Sequence, residues 1–258
     1  MADIDVAAAV ETMSDFLASY LTQAGAEGYV LGVSGGLDST VALALAVDAV
    51  GADRVMGLVM PGDPSADRHM RDARQACVTR DVPVIELDIA PTVDAVRASA
   101  GFAPETVALG NVRARTRMVF EYLFANQCAG LVLGAANKSE HSLGYFTKYG
   151  DGAVDVAPMG ELYKTEVADV ARHLDVDERF VEKTPTAELW KGQTDEGELG
   201  ATYDTIDDIL KRLLERDHAP ERIAAETAYD REMIDRFVTM HERSQHKRSR
   251  PPTADIDR

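Results

Sequence analysis

Residues 31–40 read Leu-Gly-Val-Ser-Gly-Gly-Leu-Asp-Ser-Thr, and this segment restricts the possible folds more than any other part of the chain. The apolar run 29–33 predicts a strand that ends at Ser34-Gly35-Gly36, and the apolar spacing from Asp38 onward predicts a helix. A glycine-rich turn between a strand and a helix favours anions, because its backbone N–H groups can approach a ligand closely and the helix dipole attracts negative charge. The segment therefore predicts a phosphate site in an α/β fold.

Asp38 is an unusual residue at such a turn, because a carboxylate repels phosphate. A magnesium ion between the two removes the repulsion, so Asp38 is a candidate metal ligand. The loop is not a Gly-x-x-x-x-Gly-Lys-Ser/Thr motif, since no lysine follows Gly36, and it is not Gly-x-Gly-x-x-Gly either. The alternative interpretation is a glycine-rich turn that binds no ligand.

Short apolar runs alternate with helical patterns in the first half of the chain, after an amphipathic helix predicted at 5–21. The predicted strands are 29–33, 55–59, 84–87 and 131–133, and the predicted helices between them are 38–50, 66–79, 92–98 and 111–126. This alternation is typical of a doubly wound parallel sheet with flanking helices. Such sheets bind ligands at the carboxyl ends of their strands, where the phosphate loop lies.

The second half of the chain is less regular. Polar, glycine-containing stretches predict loops at 146–158 and 184–200, and long loops of this kind are usually functional or mobile. Apolar spacing predicts helices at 162–174, 205–216 and 230–243. A length of 258 residues suits one large α/β domain.

Composition excludes several classes of protein. The net charge is −17, and seven lysines accompany twenty arginines, which favours a surface adapted to high salt, with an ordinary acidic enzyme as the alternative. The same charge argues against nucleic-acid binding. No apolar stretch is long enough for a membrane span, and the acidic N-terminus does not resemble a signal peptide, so we expect a cytoplasmic protein. Cys77 and Cys128 lie in helical patterns, and we expect both to be buried reduced thiols.

The order Ser-Gly-Gly-x-Asp-Ser resembles the pyrophosphate loop of the N-type ATP pyrophosphatases, which cleave ATP between its α and β phosphates and adenylate a substrate. Four further segments lie in the order found in one family of that group: 110–118, 134–140, 146–152, and 183–187 with 193–196. The segment Phe-Thr-Lys-Tyr-Gly-Asp-Gly at 146–152 is more specific than the phosphate loop. Over about residues 10–252, the chain resembles the ammonia-dependent NAD synthetases.

The resemblance implies a Rossmann-like fold of the ATP pyrophosphatase type, in one domain over 1–258. Its nucleotide-binding core would span about 28–175, and about 176–258 would complete the substrate site. The implied enzyme is a ligase that amidates deamido-NAD to NAD in the last step of NAD biosynthesis. ATP would convert the nicotinate carboxylate into an acyl-adenylate and release pyrophosphate, and ammonia would then displace AMP. Because negative charge develops on phosphates, cations and oriented donors should dominate catalysis.

The resemblance also implies site residues. For ATP they are Gly32, Val33, Ser34, Gly35, Gly36, Leu37, Asp38, Ser39, Ala135, Lys164 and Thr186. For magnesium they are Asp38 and Glu140, and for deamido-NAD they are Arg115, Lys148, Asp155, His246 and Lys247. Ala135 stands where many bacterial relatives have a threonine, so at most its backbone can contribute.

The two residues expected to act in catalysis are Lys164 and Asp151. Lys164 would reach the ATP phosphates, and our hypothesis for Asp151 is that it attracts ammonium and takes its proton. Each implied residue has a plainer alternative: Glu140 and Lys164 as solvated side chains, Thr186 as a loop hydroxyl, and 246–247 as a basic tail. Arg113, Arg115 and Arg117 cannot all face one ligand, because residues two apart on a helix point in different directions.

Family members bind substrate across a dimer interface, so the resemblance implies a homodimer with shared sites. Glutamine-dependent relatives carry an extra glutaminase-type domain, whereas the synthetase accounts for all 258 residues here. We therefore expect free ammonia, or ammonia from a separate partner, as the nitrogen donor. The alternatives for the whole chain are another adenylating amidase with a different carboxylate substrate, and a non-catalytic module that senses ATP.

Overall fold

A parallel four-stranded sheet forms the centre of the computed structural model, which describes residues 4–63, 67–190, 192–254 and 256. The strands are β1 Tyr29–Gly32, β2 Val55–Val59, β3 Val84–Glu86 and β4 Leu131–Val132, in the spatial order β3-β2-β1-β4. The chain thus moves outward from β1 to β3 and then returns to the opposite side of β1. Such a reversal opens a crevice at the carboxyl ends of the strands, here between β1 and β4.

Helices make up most of the remaining described structure. They are α1 Val6–Ala24, α2 Leu37–Val50, α3 Asp67–Thr79, α4 Ala90–Ser99, α5 Thr106–Gln127, α6 Lys138–Leu143, α7 Lys164–His173, α8 Glu178–Val181, α9 Asp195–Leu199, α10 Tyr203–Leu210, α11 Pro220–Glu226, α12 Arg231–Arg243 and α13 Gln245–Arg248. A 3-10 turn at Ala52–Arg54 precedes β2, and a π-helical turn at Lys211–Glu215 continues α10. None of the helices in the described part of the chain is long and apolar enough to cross a bilayer.

The sheet is covered on both faces, because successive residues of a strand point to opposite sides. Leu31 packs into a core with α1, α2, α3 and α7, whereas Val30 packs into a second core with α4 and α5. Both residues are fully buried. The predicted doubly wound α/β class and the four predicted strands are therefore confirmed.

A third apolar cluster joins the C-terminal helices to the sheet domain. Ile206, Ile209 and Phe237 pack against Leu143 of α6 and Tyr163, which immediately precedes α7. These contacts hold the C-terminal helices beside the carboxyl edge of the sheet. The prediction of a single domain over 1–258 remains a prediction.

Three details of the sequence prediction were wrong or incomplete, and two predicted positions lie outside the described residues. Helix α5 begins at Thr106 rather than 111, because Gly110 lies inside it, where a Cβ would come within 3.2 Å of Leu189. The predicted loop 184–200 contains α9, whose N-cap Thr194 accepts a hydrogen bond from the Gly197 amide. Cys128 is exposed, since it lies just beyond the last turn of α5, while Cys77 is buried as predicted. The predicted start of a helix at Ala66 lies outside the described residues, as does Lys191 of the predicted loop.

Helix α2 carries the phosphate loop at its N-terminus, so its packing fixes the position of the loop. Leu45 is fully buried in the core beneath it. We expect Leu45→Ala to lower the free energy of unfolding by about 2–5 kcal/mol, because the truncation leaves a cavity in a packed interior. Urea unfolding measures the change. Val78→Ala, at a position 60% exposed on α3, is the control; an equal effect of both substitutions would contradict this account.

Candidate active site

A cleft of about 1060 Å³ opens at the carboxyl edge of the sheet. Its walls are the phosphate loop, the ends of β1 and β2, and the first turns of α3, α6 and α7. One side of α5 and the segment 181–190 complete it. The volume suits a nucleotide with part of a second substrate.

The phosphate loop turns sharply into α2. Gly35 has a φ of 74°, and a Cβ there would lie 2.4 Å from the His69 carbonyl oxygen, so only glycine fits. The Ser34 and Ser39 hydroxyls are 3.0 Å apart, and Ser39 Oγ also accepts from the Ser34 amide. No side chain caps the amides at the start of α2, so these amides remain available to an anion. Of the eight predicted loop residues at 32–39, all except Gly35 line the cleft.

Lys164, the first residue of α7, meets two carboxylates at the base of the cleft. Its Nζ bonds Asp38 and lies 3.9 Å from Glu140 Oε1. The Lys164 side chain is 7% exposed. Burial alone would lower its pKa, but Asp38 and Glu140 outweigh that effect and raise it, so Lys164 is charged. Burial, and then repulsion from Asp38, raises the pKa of Glu140 to about 8.

Asn137 orients both carboxylates. Its Nδ2 donates to Asp38 Oδ1 at 3.0 Å, and its Oδ1 accepts from the Glu140 amide at 3.0 Å. The Glu140 carboxylate in turn accepts from the Asn137 amide, which completes a capping box at the start of α6. Asn137 belongs to the family segment 134–140, but its role could not be predicted because it depends on a contact 99 residues away.

The carboxylate pair fits a divalent ion that is bound together with ATP. Across the described residues, no group of three or more histidines, cysteines, aspartates or glutamates could hold a metal by itself. Magnesium commonly takes one or two protein carboxylates and completes its shell with phosphate oxygens and water. Asp38 and Glu140 supply such an incomplete set beside the predicted phosphate position.

The segment 181–190 is held across the phosphate loop by an ion pair of Lys183 and by a contact between Glu188 and His69. Lys183 Nζ donates to the Gly35 carbonyl and to Asp72 Oδ2, both at 2.6 Å. Glu188 Oε1 lies 2.8 Å from His69 Nδ1, and burial lowers the pKa of His69 despite that carboxylate. The sequence predicted no role for these four side chains; the one signal for Lys183 was its place at the start of the family segment 183–187.

Thr186 and Ala135, two of the predicted ATP contacts, also line the cleft. The Thr186 hydroxyl donates to the Gln193 carbonyl at 2.8 Å and accepts from the Glu188 amide at 3.1 Å. In this arrangement Thr186 shapes the segment 181–190.

A second group of charges lies on the α5 side of the cleft, formed by Asp151, Glu121 and Arg117. Asp151 Oδ1 accepts from the Thr147 amide at 2.9 Å. Its side chain meets solvent in the cleft, but the surrounding protein removes much of the nearby water, and this desolvation raises the pKa of its carboxyl. Arg117 Nε donates to the Met60 carbonyl at 3.2 Å.

The five residues predicted to bind deamido-NAD do not line the cleft of a single chain. Arg115 is exposed and donates to the Lys148 carbonyl at 3.1 Å, and Lys148 Nζ bonds the His246 carbonyl. Lys247 Nζ donates to the carbonyls of Gly144 and Phe146, at 2.7 and 2.8 Å. Four of the five are thus brought together around the loop at 146–152.

Asp155 lies apart from the other four. Its carboxylate accepts from the Val132 amide at 2.8 Å and from the Tyr122 hydroxyl at 3.1 Å, so it closes the edge of the sheet beside β4. The three arginines of α5 do diverge as predicted: Arg115 is exposed, while Arg113 and Arg117 bond the carbonyls of Leu189 and Met60.

The geometry agrees with a comparison against protein families. A sequence profile described as NAD synthase matches residues 9–251. The chain belongs to the NAD synthase family. The match includes every side chain described in the cleft.

Individual members of the NAD synthase family align over nearly the whole chain. The NH(3)-dependent NAD(+) synthetase of Thermococcus kodakarensis is 43% identical over 97% of this chain and 98% of its own length. The Halobacterium salinarum enzyme of the same name is 43% identical over 94% of this chain and 91% of its own. A solved structure described as an NMN synthetase from Francisella tularensis is 33% identical, with a TM-score of 0.88 over 98% of this chain and all of that one.

The contact of Lys183 with the phosphate loop predicts a role in ATP binding. We expect Lys183→Met to raise the half-saturating ATP concentration about tenfold, equivalent to about 1.4 kcal/mol, because the Gly35 carbonyl loses its cation and Asp72 is left unpaired. Steady-state kinetics at varied ATP measure this. Lys211→Met is the matched control, since Lys211 forms an ion pair of similar burial with Glu166 outside the cleft. An unchanged half-saturating ATP concentration in Lys183→Met would show that the phosphate loop keeps its shape without Lys183.

Proposed function

We propose that the protein amidates the nicotinate carboxylate of deamido-NAD with ammonia, using ATP, and releases NAD, AMP and pyrophosphate. The observation that carries this proposal is the placement of Lys164 between Asp38 and Glu140, directly beside the open amides of the phosphate loop. Membership of the NAD synthase family and the 43% identity to an NH(3)-dependent NAD(+) synthetase support it.

The first half-reaction requires a site that stabilises departing pyrophosphate. The amides at the start of α2 and the hydroxyls of Ser34 and Ser39 bind the phosphates, and Lys164 moves part of its interaction from the two carboxylates to the phosphate oxygens. Asp38 and Glu140 would hold magnesium, which would supply positive charge to neutralise the phosphates. The substrate carboxylate then attacks the α-phosphorus, and the bond between the α and β phosphates breaks.

The second half-reaction requires an uncharged amine next to the acyl-adenylate. Asp151 lies on the α5 side of the cleft, where its carboxylate attracts ammonium and accepts a proton from it. Its raised pKa makes the carboxyl a better acceptor than an ordinary aspartate. Nitrogen then attacks the acyl carbon, and AMP leaves.

A homodimer with shared sites accounts for the positions of the remaining substrate-binding candidates. Arg115, Val119 and Leu123 occupy successive turns on one face of α5, and all three are exposed. Val119 and Leu123 form an exposed apolar stripe that ends at Arg115. A second copy of the chain could cover this stripe, and Arg115 would then reach the substrate of that neighbour. Arg115 and Lys148 would then complete the cleft of the partner subunit.

A second substrate is favoured by one observation. The structure with a TM-score of 0.88 is described as an NMN synthetase, and NMN is a mononucleotide. The corresponding acid, nicotinate mononucleotide, carries the same reacting carboxylate as deamido-NAD and lacks the adenylate half. We place deamido-NAD first because of the name of the 43%-identical relative.

The test is to incubate the protein in concentrated potassium chloride with ATP, magnesium, ammonium chloride and either acid. We expect NAD, AMP and pyrophosphate in equal amounts with deamido-NAD, and no turnover without magnesium. Faster amidation of nicotinate mononucleotide would establish the second substrate. If no AMP forms with either of the two acids, the protein must adenylate a different carboxylate.

Lys164 gives a sharper test of the first half-reaction. We expect Lys164→Met to slow pyrophosphate release about 10²–10³-fold, because a cation aimed at the developing charge is removed. Pyrophosphate release in the absence of ammonia isolates this step. Lys211→Met should retain the wild-type rate. A loss of less than about twofold in Lys164→Met would contradict a direct role for this cation.

The dimer is tested at Leu123, at the end of the apolar stripe opposite Arg115. We expect Leu123→Glu to convert the protein from a dimer into a monomer in sedimentation velocity, because it places a charge where two α5 helices meet. The monomer should still bind ATP and should lose amidation. Val78→Glu, at an exposed position on α3, is the control. A wild-type protein that sediments as a monomer would exclude the shared site.

A further inference from the structure

The chemistry of amidation requires more than one proton acceptor. Ammonium carries four protons and the amide nitrogen of the product carries two, so two protons leave nitrogen in each turnover. The first departs when ammonium becomes ammonia, and the second departs after nitrogen has bonded to the acyl carbon. The leaving phosphate of AMP takes the electron pair of the broken C–O bond and does not need a proton.

Glu121 is a second carboxylate on the same side of the cleft as Asp151. It lies on the inner face of α5, and its carboxylate is close to the Gly32 amide at the end of β1, which favours the ionised form and lowers the pKa of Glu121. A Cβ at Gly32 would lie 2.4 Å from Glu121 Oε1, so the carboxyl occupies the space that a larger residue would fill. Gly32 also lines the cleft, just before the phosphate loop. Glu121 is therefore next to the end of β1, where the predicted phosphate loop begins.

The charges around Glu121 come from two elements. Arg117, one turn earlier on α5, attracts the carboxylate, and Asp151, in the loop after α6, repels it; β1 contributes the Gly32 amide. The Arg117 guanidinium is also attracted by the carboxylates of Glu188 and Asp151. Burial, and then repulsion from Asp151, raises the pKa of Glu121 to about 7. A general base works best when its pKa is close to the working pH, and this environment meets that requirement.

We propose that Glu121 is the second proton acceptor of the amidation step. Asp151 takes the proton that converts ammonium into ammonia; the nitrogen lone pair forms the N–C bond; Glu121 takes the next proton from nitrogen; and the C–O bond to AMP breaks. Two carboxylates thereby become two carboxylic acids, which balances the two protons lost from nitrogen. This assignment rests on the proposed function and extends it to a residue for which the sequence motifs gave no signal.

Glu121→Gln tests the assignment, because the amide keeps the shape of the side chain but cannot take a proton. We expect adenylation, followed as isotope exchange between pyrophosphate and ATP without ammonia, to stay within about twofold, and amidation at saturating ammonium to fall about 10²-fold. The wild-type rate should rise with pH through about 7, where Glu121 loses its proton, and the variant should lack this inflection. Glu105→Gln, at the exposed N-cap of the same helix, should behave as wild type.

A second nucleophile separates proton transfer from a structural role. Hydroxylamine is largely unprotonated near neutral pH, so it loses one proton during the reaction instead of two. Asp151 has then not been protonated by ammonium and can accept this single proton, so the deficit of Glu121→Gln should be much smaller with hydroxylamine than with ammonium. Glu121→Asp keeps a carboxylate and should regain part of the rate together with the inflection. An equal deficit with both nucleophiles, or a loss of adenylation in the variant, would overturn the assignment in favour of a structural role. Absence of adenylation in the wild-type protein would instead refute the proposed function.

Discussion

The attachment of Lys164 to Asp38 and Glu140 is the interaction on which the geometry of the cleft depends. Lys164 begins α7, where the helix dipole disfavours a cation, and its side chain is 7% exposed. The charge persists because Asp38 bonds it directly and Glu140 lies 3.9 Å away, each in the first turn of another helix. Removing Lys164 would leave the Asp38 carboxylate without its counter-charge, and an unpaired charge of this kind generally destabilises by several kcal/mol. The cluster therefore fixes α2, α6 and α7 relative to one another.

This arrangement also prepares the protein for an anionic ligand. In the free protein the carboxylates neutralise Lys164, and in a complex with ATP the phosphate oxygens would replace part of that interaction. A cation between two carboxylates and a triphosphate can move between partners at little cost, because it is never left without a counter-charge. Asn137 restrains both carboxylates during such an exchange, since it hydrogen-bonds Asp38 and the first turn of α6 at once.

The sequence could predict those parts of the fold and the site in which the functional residues lie in one continuous segment. The strand, the glycine turn and the helix at 29–50 are contiguous, so their periodicity and the need for glycine at position 35 reveal the phosphate loop directly. The order of the strands and the partners of Lys183 and Glu121 could not be predicted, because they arise from contacts between distant segments. Lys183 meets Gly35 across 148 residues. Position 121 appears in the sequence only as one more polar residue of a helical pattern.

The two faces of α5, a helix of 22 residues, have different roles. Its inner face places Arg117 and Glu121 in the cleft, whereas its outer face exposes Arg115, Val119 and Leu123. If two copies meet along the outer face, any shift of α5 at the interface must also move the carboxylate beside Gly32. A packed helix transmits such displacements because a close-packed interior resists compression. Dimerisation and proton acceptance would then both depend on the position of α5. A substitution on one face of this helix should change the function of the other face.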